Sequence, residues 1–291
     1  MNIILEVQGL SKKYKKSDFH LDNISFSIPS GTIIGFVGEN GSGKTTTIDC
    51  ILNTLIKDSG MVKLFGKEMN DESTELRQDI GVVFDENTFS EELTAKNLAS
   101  VMRLAYSKWD DNLFENYLRK FNLSPKQKIK TYSRGMTMKL AIAVALSHHP
   151  KLLILDEATG GLDPIIRDEI LEVFLDFVQD ENHSIFLSSH ITTDLEKIAD
   201  YILFIHNGRL ILTAKKDDLI YNYGVIRCKS AQFETLDKND TLAYRRREHQ
   251  IDVLVTDKKA MERKYKNLVI DNVSIEEIML LLIRGNGNDK N

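Results

Sequence analysis

Gly38-Glu39-Asn40-Gly41-Ser42-Gly43-Lys44-Thr45 fits the pattern G-x-x-x-x-G-K-[ST], a Gly-rich loop that cradles phosphates. An apolar β-type run, Thr32–Val37, leads into it, and a helical pattern leaves it through about Leu55. The motif therefore stands in the strand–loop–helix setting it requires. Its glycines let the backbone take left-handed turns that side chains resist. Successive N–H groups then form an anion nest, extended by the N-terminus of the next helix. Lys44 would set a point charge on the β- and γ-phosphates, and the Thr45 hydroxyl suits Mg²⁺. A nucleoside triphosphate site is expected here.

Further β-type runs flank the loop at Ile3–Val7, Ile24–Ile28, Met61–Phe65 and Ile80–Phe84. From Thr94 to about His148 the texture is helical, with apolar residues three and four apart (Leu98, Val101, Met102, Ala105; Leu113, Tyr117, Leu118, Phe121). Strand-like runs return at Leu152–Leu155, Ser184–Leu187 and Tyr201–Ile205, with an amphipathic segment at Thr192–Ala199. Leu152-Leu153-Ile154-Leu155 does not alternate, which suits a strand buried on both faces of a parallel sheet. The alternation of strands and helices predicts an α/β core with a helical insertion at about 86–149. Beyond about Leu212 the chain is more polar, with strands near Val225–Lys229 and Ile251–Val255. A closing helix is expected at Ser274–Ile283, with Ser274 as N-cap and Glu277 placed to complete a capping box. This tail reads as a small α+β appendage.

With 291 residues and 42% apolar content the chain can bury a full core. A net charge of −5 offers no global basic field, so no nucleic-acid partner is expected. Cys50 and Cys228 lack metal-ligand spacing and read as reduced thiols. There is no signal-peptide pattern, and no apolar stretch approaches the roughly 20 residues that span a bilayer. A soluble protein is expected, with any membrane part supplied by a partner.

Leu152–Leu155 runs straight into Asp156-Glu157. Consecutive residues leave a strand on opposite sides, so one acid is placed to hold a metal and the other to orient a water. With these residues in hand, the sequence resembles the ATP-binding cassette family over nearly all of residues 2–213. Tyr14, in Ser11-Lys12-Lys13-Tyr14, matches the aromatic that stacks on adenine, or is a strand-end aromatic. Tyr132-Ser133-Arg134-Gly135-Met136 occupies the place of the signature motif. Gly160-Gly161-Leu162-Asp163 matches the D-loop, where Asp163 also suits a helix N-cap before Pro164. His190, closing Phe186-Leu187-Ser188-Ser189-His190, matches the switch histidine.

The resemblance implies a phosphate-loop NTPase core of RecA-like type with an antiparallel β subdomain, the helical insertion as a subdomain, and the appendage beyond 213. Domain limits of 1–213 and 214–291 follow. It also implies a head-to-tail dimer of cassettes, homodimeric or paired, closing over ATP and Mg²⁺. Gly38, Glu39, Asn40, Gly41, Ser42, Gly43, Lys44, Thr45 and Thr46 of one subunit would hold the nucleotide, with Ser133, Gly135 and Asp163 contributing across the dimer. Glu157 would polarise the attacking water, while His190 and Lys44 meet the charge that builds on the γ-phosphate.

The sequence departs from the family pattern in three places. Arg134 stands where the signature has glycine, either facing solvent or reaching a phosphate. Asp85, in Gly81-Val82-Val83-Phe84-Asp85-Glu86, stands in place of the Q-loop glutamine, a charged acceptor on a shorter stem. Counted as a metal ligand with Thr45 and Asp156, it should make nucleotide binding depend more on Mg²⁺ than in Asp85→Gln. Gly160 stands where serine is common.

The helical insertion and the Asp85 loop form, in this family, the groove that receives a multi-pass membrane subunit. That places the chain at the cytoplasmic face of the membrane. Trp109 and Tyr106 in the insertion fit a core role better than exposure. The chain resembles cassettes of bacterial ABC-2 exporters, and among them those of peptide-resistance and peptide-toxin systems. A soluble cassette acting on nucleic acid or ribosomes is the alternative. Tyr244-Arg245-Arg246-Arg247 reads as a solvated basic face.

Overall fold

The computed structural model describes residues 2–15, 19–85 and 89–287. Three sheets organise them. The central sheet has six strands in the order β10-β9-β3-β8-β7-β6: β3 (Ile33–Val37), β6 (Ile80–Val83), β7 (Leu152–Asp156), β8 (Ser184–Ser189), β9 (Tyr201–His206) and β10 (Arg209–Lys215). All neighbours are parallel except β9 and β10, a hairpin whose turn residues Asn207 and Gly208 both have positive φ. Every residue of β3, β7 and β8 is buried, so the non-alternating apolar runs are explained by helices and a second sheet on the two faces.

That second sheet is antiparallel, in the order β2-β1-β4-β5: β1 (Ile3–Lys13), β2 (His20–Pro29), β4 (Ser59–Leu64) and β5 (Lys67–Glu68). Phe26 on β2 stacks 5.4 Å from Phe186 on β8, which stacks 5.1 Å from Phe36 on β3. These rings join the two sheets. The helices of the cassette are α1 (Lys44–Leu52), α2 (Thr74–Arg77), α3 (Ala95–Ala105), α4 (Asp111–Lys120), α5 (Arg134–Leu146), α6 (Pro164–Phe177) and α7 (Thr192–Ile198). α3, α4 and α5 are the expected helical insertion; its assumed first residue, Glu86, lies outside the described residues. The period held but its face was partly misread. α3 buries Ala95, Leu98 and Ala99, while Val101 stays exposed. Trp109 packs against the core and donates to Asp111 at 2.9 Å, and Tyr106 stacks on His148.

Residue 213 lies within β10, which continues to Lys215. After it come α8 (Lys216–Asn222), α9 (Ser230–Phe233), α10 (Lys258–Lys264) and α11 (Ile275–Arg284) around a third, antiparallel sheet of order β14-β11-β13-β12-β15. Its strands are β11 (Gly224–Cys228), β12 (Ala243–Arg246), β13 (Ile251–Val255), β14 (Ile270–Asp271) and β15 (Asn286–Gly287). Ile275, Ile278 and Leu281 of α11 belong to the same apolar cluster as Leu195 and Ile198 of α7, so this layer shares the cassette's core.

One expectation for this region changes. Ser274 caps α11 through the Glu277 N–H, but the Glu277 carboxylate pairs with Arg227 at 2.9 Å, a charge-assisted bond stronger than one to a backbone amide. Tyr244 to Arg246 lie on β12, where Arg246, like Arg247 after it, is solvent-exposed as expected. Their partner β13 carries Asp252, only 1% exposed, and Arg247 answers that carboxylate at 2.7 Å. Both cysteines are free and buried, and burial pushes the Cys50 thiol up to about 11. No described helix is long and apolar enough to cross a membrane.

Candidate active site

β3 delivers the chain to Gly38, and α1 carries it away from Lys44. A side chain at Gly38 would collide with Ser42 Oγ and the Ile205 carbonyl, so only glycine lets the loop close against β9. Gly43, at φ 112°, caps α1 without any side-chain hydrogen bond, which leaves the first N–H groups of the helix facing the loop. Gly208 N–H donates to the Ser42 carbonyl at 2.9 Å and braces the loop from behind.

Lys44 is 6% exposed and turned inward. Its Nζ donates to the carbonyls of Gly38 (2.8 Å) and Glu39 (3.3 Å) and lies 3.1 Å from Glu157 Oε1. Thr45 Oγ1 donates to Asp156 Oδ2 at 2.7 Å, and the other Asp156 oxygen is bound by the Ser188 hydroxyl. Ser188 also accepts from the Glu157 N–H, because β7 and β8 run parallel with Asp156 opposite Ser188. Glu157 itself has φ 54°, an uncommon conformation for a non-glycine residue that turns its carboxylate back toward the loop. His190 Nδ1 is 2.6 Å from Glu157 Oε2, and the His190 N–H reaches the same oxygen at 3.3 Å. Glu157 is thus held between the lysine of one element and the histidine of another. Among the described residues, buried Ser42 Oγ has no hydrogen-bond partner and buried Glu157 Oε1 has only the Lys44 ion pair.

The cavity over the loop holds about 280 Å³ and is lined by Phe19, Asn40, Gly41, Lys44, Thr46 and Glu157 among others. Tyr14, 38% exposed, stands 6.4 Å from Phe19. Glu39 points to the far side, 3.9 Å from His206 and 4.0 Å from Arg284 of α11. The remaining residues singled out in the sequence belong to other contacts. Ser133 caps α5 by accepting from the Met136 N–H, and Gly135 is buried against Ile166 of α6. Asp163 caps α6 by accepting from Ile165 and Ile166 N–H, both at 3.1 Å, with Pro164 next in line. Asp85 forms an ion pair with Arg134.

Sequence reasoning missed Ser188 and Phe19. Ser188 was quoted only as part of the run before His190, since its role depends on the β7–β8 register. Phe19 lies beyond the residues matched for the adenine contact.

The site's hard oxygen donors, Thr45 and Asp156, fit Mg²⁺, and the loop fits a triphosphate. The profile of the ABC transporter family matches residues 21–160. The bacitracin transport ATP-binding protein BcrA of Bacillus licheniformis is 34% identical over 213 residues, covering 72% of this chain and 69% of that protein. The lantibiotic transport ATP-binding protein SrtF of Streptococcus pyogenes is 35% identical over 216 residues, 74% of this chain and 92% of the relative. The solved structure of an ATP-binding subunit of an ABC transporter superposes with a TM-score of 0.66 at 28% identity, over 74% of this chain and 91% of that one. With Glu157 lining the cavity over the phosphate loop, Asp156 bound to Thr45 and His190 bound to Glu157, this chain belongs to the ABC transporter family as an ATP-binding, ATP-hydrolysing subunit.

Proposed function

We propose that this chain is the motor subunit of an exporter that acts on antimicrobial or toxin peptides or drugs. In this reading two cassettes, alike or paired, dimerise head to tail around two ATP and drive a separate multi-pass membrane subunit. The observation that carries it is the placement of the Glu157 carboxylate, 3.1 Å from Lys44 Nζ and 2.6 Å from His190 Nδ1 at the edge of the loop cavity. The substrate class is supported by the bacitracin and lantibiotic transport relatives.

Lys44 Nζ is shared between the Gly38 and Glu39 carbonyls and the Glu157 carboxylate. A γ-phosphate competes for the same ammonium, and when it draws Lys44 away, Glu157 is left to accept a proton from a water in line with the bond to be broken. Protonated on both ring nitrogens, His190 would donate Nδ1–H to the Glu157 carboxylate and keep Nε2–H for the γ-phosphate. Thr45 and Asp156 would hold Mg²⁺, which neutralises charge on the phosphate oxygens; Asp85 is a further candidate ligand. Ser133 and Gly135 at the start of α5 would meet the γ-phosphate of the second cassette, with Asp163 at the dimer interface and Tyr14 beside adenine.

Membrane coupling is assigned to a groove of about 480 Å³ between the core and the insertion. Phe84, Asp85, Met102, Tyr106, Tyr132 and Arg134 are among its walls. Its walls mix apolar side chains such as Phe84 and Met102 with charged ones such as Asp85 and Arg134, which suits an amphipathic helix. Residues 1–213 are read as the cassette and 214–291 as an accessory layer. The test is Glu157→Gln: ATP binding should persist, turnover should fall by orders of magnitude, and a long-lived ATP dimer should accumulate in sedimentation. A monomeric variant with full turnover would refute the mechanism.

A further inference from the structure

The three departures from the family pattern meet at one contact. Arg134 extends from the first turn of α5 and pairs with Asp85 at the rim of the groove. Its guanidinium also lies flat over the turn at Gly160 and Gly161. A Cβ added at Gly161 would stand 3.1 Å from Arg134 Cζ and 3.3 Å from Nε, and one at Gly160 would stand 3.9 Å from Nη2. Gly161 has φ 66°, so glycine there serves both the turn and the room that the arginine occupies. The turn is in turn tied to the catalytic acid, because the Gly160 N–H donates to the Glu157 carbonyl at 3.0 Å. His190 Cε1 lies 3.7 Å from where a Gly160 Cβ would stand. One planar side chain thus bridges the groove rim, the signature turn and the loop that follows Glu157.

We propose that Arg134 is a positioning residue that couples the Asp85 loop to the Gly160–Gly161 turn, and so fixes how the signature turn meets the nucleotide of a second cassette. Its neighbours give it this role over a direct phosphate contact. A guanidinium engaged by a carboxylate and laid on backbone is neutralised and held, and the fork geometry of arginine suits both contacts. Movement of the Asp85 loop on docking in the groove is then passed to α5 and to the turn after Glu157. The inference rests on the head-to-tail dimer proposed above.

The test is a double-mutant cycle for ATP-driven dimerisation in the Glu157→Gln chain, which separates dimer stability from turnover. Asp85→Ala and Arg134→Ala should each weaken the dimer by about fivefold, the scale of an ion pair of this exposure. The double variant should lose about fivefold as well, since one linkage is being removed twice. Thermal midpoints should stay unchanged, and the parent's advantage should fade in 1 M KCl. Independent losses that multiply to about 25-fold in the double variant, or a tighter dimer in Asp85→Ala from an arginine freed to bind phosphate, would overturn the role. A Glu157→Gln chain that stays monomeric with Asp85 and Arg134 intact would overturn the dimer reading itself, and the inference with it.

Discussion

His148 is the ionisable group whose burial has the clearest energetic consequence. It is 1% exposed, stacks on Tyr106 with ring centroids 3.9 Å apart, and shares a hydrogen bond from Nδ1 to the Gln78 carbonyl at 3.2 Å. Burial pushes its pKa down to about 4; the Gln78 bond and the Asp79 carboxylate work the other way, and His149 adds a little to the lowering. In the unfolded chain the imidazole titrates near 6.5. Between these values the unfolded state binds a proton that the folded state refuses, so stability rises with pH across this window and is lost as pH falls through it. From pH 7.5 to 5.0 this one group removes about 2 kcal/mol. His148→Gln keeps a donor for the Gln78 carbonyl but does not titrate. Urea unfolding at both pH values, followed by the fluorescence of Trp109 in the same helical layer, isolates the effect as a difference of differences. With a slope of about 3 kcal/mol per M, the parent's midpoint should fall about 0.7 M further than the variant's. Equal shifts in the two proteins would show that His148 is not kept neutral by burial, and would refute the reasoning.

Nucleotide binding should depend more steeply on Mg²⁺ than in Asp85→Gln, and the gap should widen in Arg134→Ala, where Asp85 loses its counterion; equal titrations of all three proteins would dismiss a metal role for Asp85. Phe186→Ala removes the ring stacked between Phe26 and Phe36, fully buried at the sheet–sheet contact, and should cost about 3–5 kcal/mol in chemical denaturation. Arg227→Met leaves Asp271 and Glu277 without their shared partner and takes one of two arginines from buried Asp252; a loss of about 1.5–3 kcal/mol is expected, and a neutral result would mean that Arg247 alone satisfies Asp252. Ser188→Ala frees one Asp156 oxygen and one contact of the Glu157 N–H, so turnover should fall while ATP affinity changes little; a loss confined to ATP affinity would argue that Ser188 serves the loop instead.

What the sequence determined by itself was local or periodic. The phosphate loop is a contiguous pattern whose conformation follows from its glycines, and the buried strands β3, β7 and β8 announce themselves as unbroken apolar runs. Caps at Asp163 and Ser274 are likewise short-range, because a side chain within three residues satisfies the helix N–H groups. The tertiary structure alone decided contacts set by strand register and by the reach of long side chains. Ser188 binds Asp156 only because β8 lies beside β7 in that register. Asp85, Arg134 and Gly160 stand in the sequence as three separate departures from the family pattern. They prove to be one contact because the insertion folds back on the core and brings a guanidinium from α5 between a loop 49 residues before it and a turn well after it. Such a pairing depends on distances across elements, which no spacing along the chain encodes.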